Sequence, residues 1–146
     1  MNILKRLVCG AVFLTLQACG SMATPTAPAS PTPDMTGSWQ GTYVLPSENP
    51  GTFTLKLTQT GLSLSGSAVI SQNEFTDVPA NWTGTLTTVN ASTTMQFVMT
   101  YTFGDPPCLG QFKGTLDAST NAIDGAFTGE NCTRAFGGTL HAERGE

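Results

Sequence analysis

Met95, Phe97, Met99, Tyr101 and Phe103 occupy every second position of one stretch, separated by Gln96, Val98, Thr100 and Thr102. A side-chain period of two belongs to a β-strand, and a single apolar face belongs to a sheet that covers a core on one side. The alternation recurs from Thr36 onward. Trp39, Tyr43 and Leu45 share a face, then Phe53, Leu55 and Leu57, then Leu62, Leu64, Ala68 and Ile70, then Trp82 and Leu86. Phe112 with Leu116, Ile123 with Phe127, and Phe136 with Leu140 complete eight strands in a chain of 146 residues, enough for one domain. No window outside the N-terminus carries a helical apolar period.

The connections alternate as well. Long loops are expected at 46–51 (PSENPG), 72–79 (QNEFTDVP), 104–110 (GDPPCLG) and around 131 (ENCTR), with tight turns near Thr60, Asn90 and Thr120. In an up-and-down meander successive connections fall at opposite ends, so the long loops gather at one end. Closing the strands removes exposed edges. The expected fold is therefore all-β, an eight-stranded antiparallel up-and-down barrel. An open meander or a small β-sandwich carries much of the same pattern.

Glycine interrupts these strands in one recurring context: WQGTY, LSGSA, WTGTL, FKGTL, IDGAF and FGGTL. Gly41, Gly66, Gly84, Gly114, Gly125 and Gly138 all have inward parity. Glycine weakens a strand, so its repetition implies either sharp bends or aromatic rings lying over bare backbone.

The N-terminus reads as an address. Lys5 and Arg6 precede an apolar run from Leu7 to Leu16, too short to span a bilayer but suited to an export signal. Leu16-Gln17-Ala18-Cys19 resembles the lipobox of bacterial lipoproteins. That resemblance implies a signal peptide over 1–18, cleavage before Cys19, and acyl chains on that cysteine that hold the protein to a membrane. Gly20 rather than Asp follows the cysteine, which implies the outer membrane of the cell envelope. Ser21-Met22-Ala23 also suits ordinary cleavage after Ala23, giving a soluble periplasmic or secreted protein. Residues 19–35 form a tether rich in Pro, Ala, Ser and Thr, and the barrel domain covers 36–146.

Cys9 leaves with the signal and Cys19 takes lipid, which leaves Cys108 and Cys132 in two loops at the same end. Pairing Phe112 with Phe127, Gly114 with Gly125 and Leu116 with Ile123 sets Cys108 opposite position 131. A Cys108–Cys132 disulfide is then within easy reach, and an exported compartment permits it.

Gly37-Ser38-Trp39 at the start of the first strand, with Arg144 after the last, resembles the signature of the calycins: the lipocalin, fatty-acid-binding and avidin-type barrels. The resemblance implies that Arg144 packs across Trp39. It also implies that the barrel is able to bind a small hydrophobic ligand. The chain departs from typical lipocalins in lacking their long first loop and C-terminal helix.

Charged residues make up 11% of the chain, and after signal removal Lys56, Lys113, Arg134 and Arg144 face ten carboxylates. That balance excludes an electrostatic footprint for nucleic acid. No nucleophile elbow, metal-ligand cluster or closely spaced carboxylate pair is present, so no enzymatic activity and no cofactor are expected. The single histidine, His141, has outward parity. The candidate rim for a ligand or partner is the loop end, with Glu48, Glu74, Phe75, Asp77, Asp105, Glu130 and Arg134. It admits a small hydrophobic ligand, or it docks an envelope protein or cell-wall partner with Phe75 as an apolar anchor while the barrel itself is filled, or its acidic loops are simply solvated.

Overall fold

The computed structural model describes residues 31–146 apart from Glu74. The signal, Cys19 and the tether as far as residue 30 lie outside the described residues, as does Glu74. Eight strands close into one barrel in sequence order: β1 (Gly37–Val44), β2 (Gly51–Thr60), β3 (Ser63–Gln72), β4 (Phe75–Val89), β5 (Ser92–Phe103), β6 (Cys108–Ala118), β7 (Ala122–Glu130) and β8 (Ala135–Arg144). Every neighbouring pair is antiparallel, and β1 closes the circle against β8. The meander is therefore closed, and neither an open sheet nor a sandwich.

Inward positions are apolar and outward positions are Thr, Ser, Gln, Asn and scattered charges. Trp39, Met95, Leu116 and Ile123 are wholly buried, and Trp82, Leu86 and Ile70 nearly so. This is the reverse of a lipid-spanning barrel, whose apolar band faces outward. At the centre Trp82 stacks on Phe97 with ring centroids 4.4 Å apart. Nearer the loop end Phe112 packs against Phe127 at 4.9 Å, and against Tyr101 and Phe136 at 5.2 Å each.

The register explains the glycines. Gly41 lies opposite Phe53, Gly66 opposite Trp82, and Gly84 opposite Phe97. Gly114 lies between Phe97 on β5 and Phe127 on β7. At Gly41, Gly114 and Gly138 a ring from a neighbouring strand (Phe53, Phe97 and Phe127) fills the space, whereas backbone closes on Gly66 and Gly84 and Leu116 on Gly125. Gly51 and Gly110 likewise leave space for the rings of Tyr43 and Tyr101.

Three expectations need correction. The β6–β7 register is shifted by two residues: Phe112 pairs with Gly129, Gly114 with Phe127 and Leu116 with Gly125. Matching like with like would set glycine against glycine and leave a void, whereas the observed register sets bulk against glycine. Residues 72–79 are not a long loop, because β3 runs to Gln72 and β4 starts at Phe75. Asn73 and Asp77, which read as loop residues, have φ of 48° and 56°. Asn73 turns the chain, and Asp77 sits in an irregularity of the ladder with its N–H donated to the Ser71 hydroxyl at 3.0 Å. Leu62 is not inward; it lies in the turn between β2 and β3 and is exposed.

The tight-turn end is closed by the segment before β1. Met35, which the sequence reading placed at the end of the tether, is completely buried. Its N–H donates to Gln59 Oε1 at 2.7 Å, and its carbonyl accepts the Trp39 indole N–H at 3.0 Å.

Candidate functional site

Two groups of sequence-singled residues come together, one at each end of the barrel. At the tight-turn end Gly37, Trp39 and Arg144 form one unit. Trp39 and Arg144 pair across β1 and β8, and the guanidinium stands over the indole. Arg144 Nε donates to the Thr120 carbonyl and Nη1 to the Thr36 carbonyl, each at 2.7 Å, and Nη2 donates to the Asp34 carbonyl. A Cβ at position 37 would lie 2.8 Å from Arg144 Nη1, so Gly37 makes room for the guanidinium. The Asp34 carboxylate accepts the Thr36 N–H at 2.9 Å, and this bond holds its pKa below the usual carboxylate value. The arrangement joins the incoming segment, the β6–β7 turn and the end of β8. It closes this end structurally.

The opposite end is the mouth. The β1–β2 connection (45–50) and the β7–β8 connection (131–134) meet there through an ion pair between Arg134 Nη2 and Glu48 Oε1. The Cys108–Cys132 disulfide, with Cα atoms 5.7 Å apart, ties the second of these connections to the start of β6. Asn131 shapes the connection by accepting from the N–H groups of Thr133 and Arg134 and from the Thr133 hydroxyl.

Inside this rim is a cavity of about 30 Å³, lined by Tyr43, Gln72, Tyr101, Phe112 and Phe136 beneath Glu48 and Arg134. That is the share of one water molecule in the liquid. Burial pushes the Tyr101 phenol up to about 12, with nearby Arg134 pulling the other way. Burial likewise raises Tyr43, helped by Tyr101 and Glu48. Both phenols are neutral at physiological pH, and Gln72 is buried with its amide donated to the Asn49 carbonyl at 2.7 Å.

The remaining rim residues separate. Phe75 is half-buried against Phe103, with centroids 5.1 Å apart, so its ring is part of the mouth wall and not a free apolar anchor. Asp77, Asp105 and Glu130 are exposed. Sequence reasoning missed Tyr43, Gln72 and Tyr101 as mouth residues. The inward parity of Tyr43 and Tyr101 was visible, but their depth along the barrel depends on strand tilt, which alternation does not encode; Gln72 read as the first residue of a loop.

Two other features lie on the outer wall. A broad hollow of about 750 Å³ crosses β1 to β6, with Gln40, Lys56, Val69, Asn81, Thr100 and Leu109 along it. His141 donates a hydrogen bond from Nδ1 to the Asp124 carboxylate across β7 and β8, which raises its pKa above the ordinary value, with a smaller contribution from Glu143. Among the described residues no group of three His, Cys, Asp or Glu side chains is placed to hold a metal ion. Comparison with known proteins adds no relative: no protein-family model and no curated protein matches the chain.

Proposed function

We propose that this chain is a non-enzymatic lipoprotein of the bacterial envelope, anchored to the outer membrane through Cys19, whose calycin-like barrel is filled and works through its loop end. The observation that carries this reading is the interior. The space at every inward glycine is taken, by rings at Gly41, Gly114 and Gly138 and by backbone or aliphatic side chains at Gly66, Gly84 and Gly125, and the cavity at the mouth has room for about one water molecule. A drug-sized ligand needs roughly ten times that volume or more. The anchor rests on the lipobox-like Leu16 to Cys19. The chain enters the barrel at the tight-turn end, so a tether from Cys19 leaves the loop end pointing away from the membrane. There Asp77, Asp105 and Glu130 are exposed, and they suit an envelope partner.

A second reading keeps the small hydrophobic ligand. The Gly37–Trp39–Arg144 unit favours it, because calycins that carry this unit include ligand carriers. It requires the aromatic wall of the mouth to part.

One experiment separates the readings. The full-length protein is expressed with its own export signal, extracted in detergent and weighed under native and denaturing conditions. The proposal expects a polypeptide that begins at Cys19 and carries acyl chains, with the same mass in both conditions. A polypeptide that begins after Ala23 removes the anchor. An extra mass released on denaturation establishes a ligand and removes the filled barrel.

A further inference from the structure

Tyr43 and Tyr101 are 2% and 6% exposed, and both line the mouth cavity. Neither phenol has a hydrogen-bond partner among the described residues, yet neither oxygen is sealed off, since the indole N–H of Trp82 is the one fully buried unpartnered side-chain group among them. Two almost buried polar groups therefore open onto the same small space without a ligand from the protein. Around them the wall offers acceptors and aromatic rings: the Glu48 carboxylate, the phenol oxygens, Phe112 and Phe136. Such a wall suits a cation, which gains from a carboxylate and from ring faces together.

The protein already places a cation there. Arg134 pairs with Glu48 from above, but its side chain is 56% exposed while that of Glu48 is 21% exposed. An ion pair so open to water contributes about 1 kcal/mol at most. The guanidinium rests on the site without being fixed in it. The exposed carboxylates of Asp77, Asp105 and Glu130 give the same end of the barrel an excess of negative charge that draws cations towards it.

We propose that the mouth is a binding site for a guanidinium group presented by a partner, and that Arg134 is its built-in competitor. An incoming arginine side chain takes over Glu48, displaces Arg134 towards solvent and sets its guanidinium over the phenols. The inference rests on the loop end being the working surface, and it names the chemistry which that surface recognises.

The chain has two tyrosines, both at the mouth, so their ring signals report on this site alone. The full chain in detergent, labelled with carbon-13 in tyrosine, is titrated with ethylguanidinium chloride, with sodium chloride at equal ionic strength as the control. Arg134→Ala is expected to give saturable tyrosine shifts at concentrations about fivefold lower than wild type, the factor that an exposed ion pair supplies. Arg134→Gln, which keeps most of the side-chain stem, is expected to behave like Arg134→Ala and guards against a folding defect in the latter. Adding Glu48→Gln to either variant is expected to abolish the shifts. Absence of saturable shifts in both folded Arg134 variants overturns the site, and so does binding that survives Glu48→Gln. These outcomes are independent of the weighing experiment: a released apolar cargo would remove the filled barrel and leave this titration to decide the cation site.

Discussion

The guanidinium carbon of Arg144 stands 4.6 Å from the centroid of the Trp39 ring, although the two residues are among the most distant in sequence within the barrel. This contact lies on the β1–β8 seam that closes the circle of strands, and it attaches the segment before β1 to that seam. Arg144 gives hydrogen bonds to three carbonyls, of Asp34, Thr36 and Thr120. Arg144→Ala removes these and the contact with the ring, and is expected to destabilise the barrel by about 2 kcal/mol. Arg144→Lys recovers little, because an ammonium lacks the planar fork that reaches three acceptors. Urea unfolding of the variants checks this. A midpoint within error of wild type for Arg144→Ala would show that the contact is incidental.

Much of this end was legible in the sequence. Strand number and inward parity follow from alternation, and the pairing of Trp39 with Arg144 from the G-x-W resemblance; closure was the expected reading, but alternation left an open meander or a sandwich beside it. What could not be read was how far strands slide past each other. Shifting β7 against β6 by two residues leaves every side chain on its own face, so parity could not choose between Phe112 opposite Phe127 and Phe112 opposite Gly129. Packing chose, by filling the glycine spaces. Met35 was hidden for a different reason: one apolar residue after a proline-rich run has no period to reveal it. At the mouth, the charges of Glu48 and Arg134 marked the rim, but the tyrosines beneath them looked like ordinary core.

The glycine–ring pairing is directly testable at Gly114. A methyl group there would lie 2.6 Å from the Ala126 carbonyl oxygen and 3.1 Å from a ring carbon of Phe97. Backbone cannot withdraw as a flexible side chain can, so the cost exceeds the small gain in strand propensity. Gly114→Ala is expected to destabilise by about 2 kcal/mol or more, within the range of overpacked cores. Thermal unfolding followed by near-ultraviolet circular dichroism reads the loss. A neutral or stabilising effect would mean that the rings have room to retreat.

The β4–β5 turn predicts a gain instead. Asn90 and Ala91 have φ of 49° and 67°, and Val89 pairs with Ser92 across them. A two-residue hairpin with positive φ at both positions favours Asn-Gly, and here the second place holds alanine. Ala91→Gly removes left-handed strain of about 1 kcal/mol, offset in part by the greater freedom of glycine in the unfolded chain. The net expectation is a stabilisation of about 0.5 kcal/mol, seen as a higher urea midpoint with an unchanged slope.

The disulfide should matter more than this turn. Cys108 and Cys132 are 24 residues apart, and closing a loop of that size in the unfolded chain corresponds to about 3.5 kcal/mol. A Cys108→Ala/Cys132→Ala double variant is expected to lose about that much stability while keeping the barrel. Because the loss acts through the unfolded chain, core amides in every strand should lose protection alike, and residues 131–134 should lose more through local opening. No added loss in residues 131–134 would contradict a local clamp.

The two tyrosines give the fold a limit at high pH. Burial raises both phenols above the value of 10.0 expected in the unfolded chain, Tyr101 to about 12. A raised phenol means that the folded state holds its proton where the unfolded state has lost it. The contribution to stability is complete below pH 10 and is lost as the pH rises from there through the folded pKa. Each tyrosine lowers stability by about 1.4 kcal/mol per pH unit across that window. Tyrosinate absorbance and circular dichroism, followed together during an alkaline titration, test this. The expected result is that tyrosinate stays absent near pH 10 and rises only as the barrel unfolds. Tyrosinate appearing near pH 10 in a barrel that is still folded would show that the mouth stands open to water and that the aromatic wall over the cavity is not closed.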